Sequence, residues 1–122
     1  MAREPLPRSL KKAIERLEAE PARLWRLATL AAACGVAPRT LQKHFRRFVG
    51  RAPLAYLREV RFEGARRELL GAAEKATITE IATRCGFAHL GRFATEYRQR
   101  FGESPSATLR RLRRARAPSP PS

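Results

Sequence analysis

Arg39, Gln42 and Lys43 lie within little more than one helical turn and carry the hydrogen-bonding groups that read base edges. A guanidinium matches guanine O6 and N7 with two parallel donors, and a carboxamide matches adenine N6 and N7. Thr40, Arg46 and Arg47 on the same stretch better suit phosphate oxygens, which position a protein without reading sequence. A second, sparser set follows later in the chain, with His89, Arg92 and Thr95 as base-contact candidates and Arg98 and Arg100 as phosphate contacts. Glu96 stands among them, able to accept from cytosine N4 or to pair with Arg92 four residues earlier. The first set is therefore expected to supply more affinity.

Other chemistries lack their residues. All 11 acids are Glu, so paired-Asp metal chemistry has no donors. Cys34 and Cys85 are too few and too far apart for a zinc cluster, and His44 and His89 have no acid or thiol at ligand spacing. Neither thiol has an adjacent base to activate it. No cofactor, metal or catalysis is expected.

The charge balance points the same way. In 122 residues, 26 Lys+Arg face 11 acids, a net +15, and such a field draws polyanions. The length suits one domain or two very small ones sharing a spine. At 43% apolar and 30% charged, the chain can pack a core. Met1 to Glu20 lacks an apolar signal core, and no run approaches the ~20 apolar residues of a membrane span. A reduced cytoplasmic setting without membrane contact is expected.

The elements that must position these residues are helices. Apolar residues recur at three and four, as in Leu10, Ile14 and Leu17; Leu41, Phe45, Phe48 and Val49; Leu57, Val60, Leu69 and Leu70; and Leu90, Phe93, Tyr97 and Phe101, the last group reading as an inward face. Thr77 to Glu80 reads as a capping box and Ser104-Pro105 as a cap before an N1 proline, whereas Arg26 and Ala37 stand where a hydroxyl would be expected. The spacing predicts an all-α fold of about seven helices. Residues 1–8 and the basic, proline-rich 111–122 read as tails, with Arg110 to Arg116 as a nonspecific phosphate contact.

An internal repeat organises the rest. Leu30-Ala31-x-x-Cys34-Gly35-Val36 returns as Ile81-Ala82-x-x-Cys85-Gly86-Phe87 at an offset of 51; Leu41, Phe45, Val49, Gly50 and Pro53 return as Phe93, Tyr97, Phe101, Gly102 and Pro105 at 52. Each copy follows a helix-turn-helix plan. Ala31 and Ala82 leave room where the second helix crosses the first, and Gly35 and Gly86 take the turn with positive φ. The copies occupy 9–52 and 72–110, and 53–71 reads as a linker helix of roughly 27 Å at 1.5 Å per residue. That approaches the ~34 Å of one DNA turn, so the linker could set two recognition helices in successive major grooves.

With these motifs in place, LAAACGVAPRTLQKHFRRFVG and ITEIATRCGFAHLGRFATEYRQRFGESP resemble the DNA-binding domain of AraC/XylS-type transcription regulators over roughly Leu10 to Arg110. The resemblance implies a homeodomain-like bipartite fold, an asymmetric promoter site on double-stranded DNA, and contact with RNA polymerase in activating transcription. By position it puts base reading on Arg39, Gln42 and Lys43, and on Leu90, Gly91, Arg92 and Thr95. It also implies an effector domain absent from this chain, which is then a stand-alone regulator or the C-terminal piece of a longer protein.

The competing reading is a nonspecific basic architectural or RNA-binding protein. Either charged stripe alone could be solvated surface; the duplicated motif together with +15 favours sequence-specific binding.

Overall fold

In the computed structural model Gly35 and Gly86 hold φ of 70° and 98°, the left-handed region that a Cβ resists. Beyond each glycine the chain folds back on the helix just ended. Val36 N donates to Ala31 O at 3.1 Å and Phe87 N to Ala82 O at 2.9 Å, so both turns close with the long backbone bond of a Schellman-type end. The structure describes residues 5–72 and 75–116. The end of the chain from Pro118 to Ser122, read as a tail, lies outside them, as do residues 1–4 of the other tail.

The described residues form seven α-helices and no strand: α1 (Arg8–Ala19), α2 (Leu27–Ala33), α3 (Pro38–Phe48), α4 (Pro53–Leu70), α5 (Ile78–Arg84), α6 (Leu90–Phe101) and α7 (Pro105–Arg116). Where a hydroxyl is present it caps: Thr77 Oγ1 accepts from Glu80 N and Ser104 Oγ from Ala107 N, both at 3.1 Å. Helices α2 and α3 start at Arg26 and Ala37 without a side-chain cap, and Pro38 pre-sets the first turn of α3.

Packing divides the chain between Val60 and Arg61, inside α4. The first unit buries Leu10, Ala13, Leu17, Leu30, Ala31, Leu41, Phe45 and Leu57, with Trp25 closing the α1–α2 side. The Trp25 indole N–H donates to Glu20 O at 2.9 Å, and the Arg23 guanidinium lies 4.5 Å from its ring. The second unit buries Phe62, Ala65, Leu69, Ile81, Ala82, Phe93, Tyr97 and Leu109.

These two cores show that the duplication is longer than the helix-turn-helix pairs. Leu10, Ala13 and Leu17 of α1 stand 52 residues ahead of Phe62, Ala65 and Leu69 of α4, and all are buried. Pro53, Tyr56 and Leu57 of α4 match Pro105, Thr108 and Leu109 of α7 at the same offset. Helix α4 is thus two helices of the plan run together. Its first half closes unit 1 as α7 closes unit 2, and its second half opens unit 2 as α1 opens unit 1. An ion pair repeats as well with its signs exchanged, Arg51 donating to Glu59 in one unit and Arg111 to Glu103, at 2.8 Å, in the other.

Two expectations change. The stretch 53–71 is no bare linker, since Leu57 belongs to one core and Phe62, Ala65 and Leu69 to the other. The stretch 111–116, read as tail, is helical: α7 continues to Arg116, and Arg113 reaches Ala76 O at 2.7 Å.

Candidate nucleic-acid interface

In unit 1, α3 inherits its orientation from Leu41 and Phe45, which are fully buried one turn apart. With that side fixed, Arg39, Gln42, Lys43, Arg46 and Arg47 are exposed, and Thr40 is half-buried. The Arg47 guanidinium lies 5.4 Å from the Phe48 ring, so its stem packs while its charge stays at the surface. His44 faces α1, where Nδ1 and Ser9 Oγ approach to 3.3 Å. The three base-contact candidates therefore share one uncovered face of a single helix.

In unit 2, Phe93 and Tyr97 orient α6 in the same way. The Tyr97 hydroxyl meets the buried Thr108 Oγ1 at 2.9 Å and accepts from Arg66 at 3.4 Å, which ties α6 to α7 and α4. Arg92, Thr95 and Arg98 are exposed, and so is His89, the residue that precedes the helix.

Three sequence expectations fare differently here. Leu90, assigned to the inward face, is 43% exposed. It is the first residue of α6, and helical side chains lean toward the N-terminus, where no earlier turn covers this one. Glu96 pairs forward with Arg100 at 3.2 Å. Arg100, the phosphate candidate, is exposed, and its guanidinium also lies 4.6 Å from the Phe62 ring.

The cysteines sit at equivalent buried positions beside the two turns. Burial pushes the Cys34 thiol up, with Lys12 and Arg16 opposing. Cys85 is pushed up to about 12, first by burial and then by donating to Glu68 Oε2 at 3.0 Å. Glu68 Oε1 in turn accepts from Arg84 Nε at 3.0 Å. A thiol held so firmly as S–H is a poor nucleophile. Among the described residues no group of His, Cys or Glu is arranged to hold a metal, and no helix is long and apolar enough to cross a membrane.

The cations of α7 were missed as a structured surface. Arg110, Arg113 and Arg114 rim an open cleft of about 460 Å³ over Ile78 and Leu109. Leu109 and Leu112, three apart, were the helical signal in this run, too short a pattern to be told from a tail.

Residues 30–111 match the model of a helix-turn-helix domain family. A probable thc operon regulatory protein of Rhodococcus erythropolis is 42% identical over 106 residues, which are 86% of this chain and 32% of that protein. The chain thus spans about a third of the length of this curated relative. A solved structure described as a probable AraC family transcriptional regulator from Rhodopseudomonas palustris is similar with a TM-score of 0.77 at 38% identity, covering 85% of this chain and 96% of that one. The chain belongs to the AraC/XylS family. A second AraC/XylS-type structure, the DNA-binding domain of AdpA in complex with a target DNA, matches with a TM-score of 0.79 at 28% identity over 90% of this chain and 97% of that one. Each unit pairs a short helix with a longer one across a glycine turn, α2 with α3 and α5 with α6.

Proposed function

We propose that this chain is a sequence-specific double-stranded DNA-binding regulator of transcription that sets α3 and α6 in successive major grooves of one site. The observation that carries the reading is the duplicated unit, each copy presenting an uncovered, cationic second helix whose opposite side is locked in its own core. Arg39, Gln42 and Lys43 read base edges from α3, and Arg92 and Thr95 do so from α6 with His89 at its start. Thr40, Arg46, Arg47 and Arg98 hold phosphates and fix the register. The role is binding without catalysis. It is exercised on the chromosome in the cytoplasm, and RNA polymerase is the further partner when a promoter is activated.

Selection of bound duplexes from a random pool tests this. The selected site should be bound at least ~10³-fold more tightly than random DNA. Arg39→Ala and Arg92→Ala should each cost about 1–3 kcal/mol on that site and much less on random duplex. Equal losses on both would leave charge alone as the source of binding and turn the reading into that of a nonspecific basic protein.

A further inference from the structure

We infer that unit 2 recognises thymine by its 5-methyl group, through the exposed side chain of Leu90 and the γ-methyl of Thr95. The inference rests on the DNA-binding function proposed above and adds what its second half reads.

The reading surfaces of the two units differ in kind. Unit 1 offers donors and acceptors on Arg39, Gln42 and Lys43. Around the first turn of α6 the exposed residues are Leu90, Gly91, Arg92 and Thr95, of which Arg92 alone carries a charge. Leu90 has no turn ahead of it and leaves 43% of its surface in water. Thr95 sits one turn on from Gly91, and its hydroxyl donates to Gly91 O at 3.0 Å. With that proton committed inside the helix, an exposed Thr95 presents its methyl group to a partner. Gly91 adds no side chain, and a Cβ placed there would meet nothing within 4 Å. The surface between Leu90 and Thr95 is therefore low and apolar. Arg98, exposed further along α6, is placed to draw it toward phosphates.

Such a surface has one match in the major groove. Thymine is the base with a methyl at C5, and apolar side chains distinguish it by covering that group. Hydrogen-bond readout would leave Leu90 idle and could use Thr95 only as an acceptor. Methyl readout uses both and removes from water a leucine that folding has left exposed.

Uracil is the matching probe, since it keeps the O4 acceptor and the pairing of thymine and lacks only the methyl. On the selected duplex, uracil should replace thymine one position at a time. In the half-site of unit 2, each substitution at a contacted thymine should weaken binding about fourfold, the effect of one methyl group returned to water. Leu90→Ala and Thr95→Ser should bring the thymine-to-uracil ratio toward one, with Thr95→Ser keeping the bond to Gly91 and removing only the methyl. Unfolding midpoints equal to that of the wild type would show that both variants are folded. Equal affinity of the wild type for thymine and uracil duplexes, with its preference over random DNA intact, would overturn the inference and leave the proposed function standing. Discrimination persisting in the double variant would overturn it too. Failure to select any site would remove the function itself, and the inference with it.

Discussion

Unit 1 and unit 2 fill one backbone plan with different chemistry. At matching positions unit 1 buries Leu10, Leu41 and Phe45 where unit 2 buries Phe62, Phe93 and Tyr97. The rings of unit 2 form a continuous series: Phe62 and Phe93 stack at 5.7 Å, Phe87 lies 4.6 Å from each, and Tyr97 follows Phe93 at 5.7 Å and leads to Phe101 at 4.6 Å. Unit 1 has Phe45 against Tyr56 at 5.8 Å. The invariants between the copies include the small Ala31 and Ala82, the glycine turns, the cysteines and the prolines that open the closing helices, beside core pairs such as Leu17 with Leu69. The plan fixes where bulk must be absent and where the chain must bend. The kind of bulk elsewhere is left free, because apolar burial is nondirectional.

The largest effect that could sharpen this contrast lies in the cores. Phe45→Ala and Phe93→Ala should each cost about 3–5 kcal/mol. Phe93 should fall at the upper end, because aromatic pairs contribute about 0.5–1.5 kcal/mol beyond area and it loses Phe62, Phe87 and Tyr97 together. Denaturant titration measures the totals. Amide exchange should place the loss of protection in residues 8–60 for the first variant and 61–116 for the second, and a loss spread evenly over both would break the division into units.

The caps come next. Thr77→Ala removes the bond to Glu80 N and should cost about 1 kcal/mol, whereas Ala37→Ser adds a missing hydroxyl to α3 and should stabilise by about 0.5–1 kcal/mol. Opposite shifts of the unfolding midpoint would show that unit 1 forgoes stability that unit 2 has.

The last effect is alkaline. The Cys85 thiol is raised in the folded chain from its ordinary 9.0 to about 12, so its protonated form stabilises the fold fully below pH 9. That contribution is lost as pH rises from 9 toward 12. Wild type should lose more stability than Cys85→Ala between pH 8 and pH 11. The corresponding difference for Cys34→Ala should be smaller, because two cations oppose the rise at both thiols and only Cys85 has Glu68 adding to burial. Equal differences would make the Glu68 bond irrelevant.

Much of the fold and of unit 1's face could be read from spacing. The helix-turn-helix repeat, the positive-φ glycines and the basic stripe of α3 are each local in sequence, and periodicity places Arg39, Gln42 and Lys43 together without reference to other elements. The longer duplication was hidden because its outer matches, Ala13 with Ala65, Leu17 with Leu69 and Leu57 with Leu109, are common residue types scattered among the unlike pairs Leu10 with Phe62 and Tyr56 with Thr108. Leu90 was misplaced for a related reason. Periodicity gives a residue's azimuth on a helix and is silent about whether any neighbour reaches that end of it. The contacts of Arg100 with Glu96 and the Phe62 ring likewise depend on packing that spacing does not show.

Net charge, helical class, the two turns and the identity of the groups able to meet bases follow from the residues themselves, since they depend on formal charges, backbone sterics and a 3.6-residue period that act over a few positions. The assignment of α4's halves to different cores, the raised pKa of Cys85 and the exposure of Leu90 required the folded chain. Each of these is settled by groups far apart in sequence, and burial and pairing are properties of the neighbours that folding assembles.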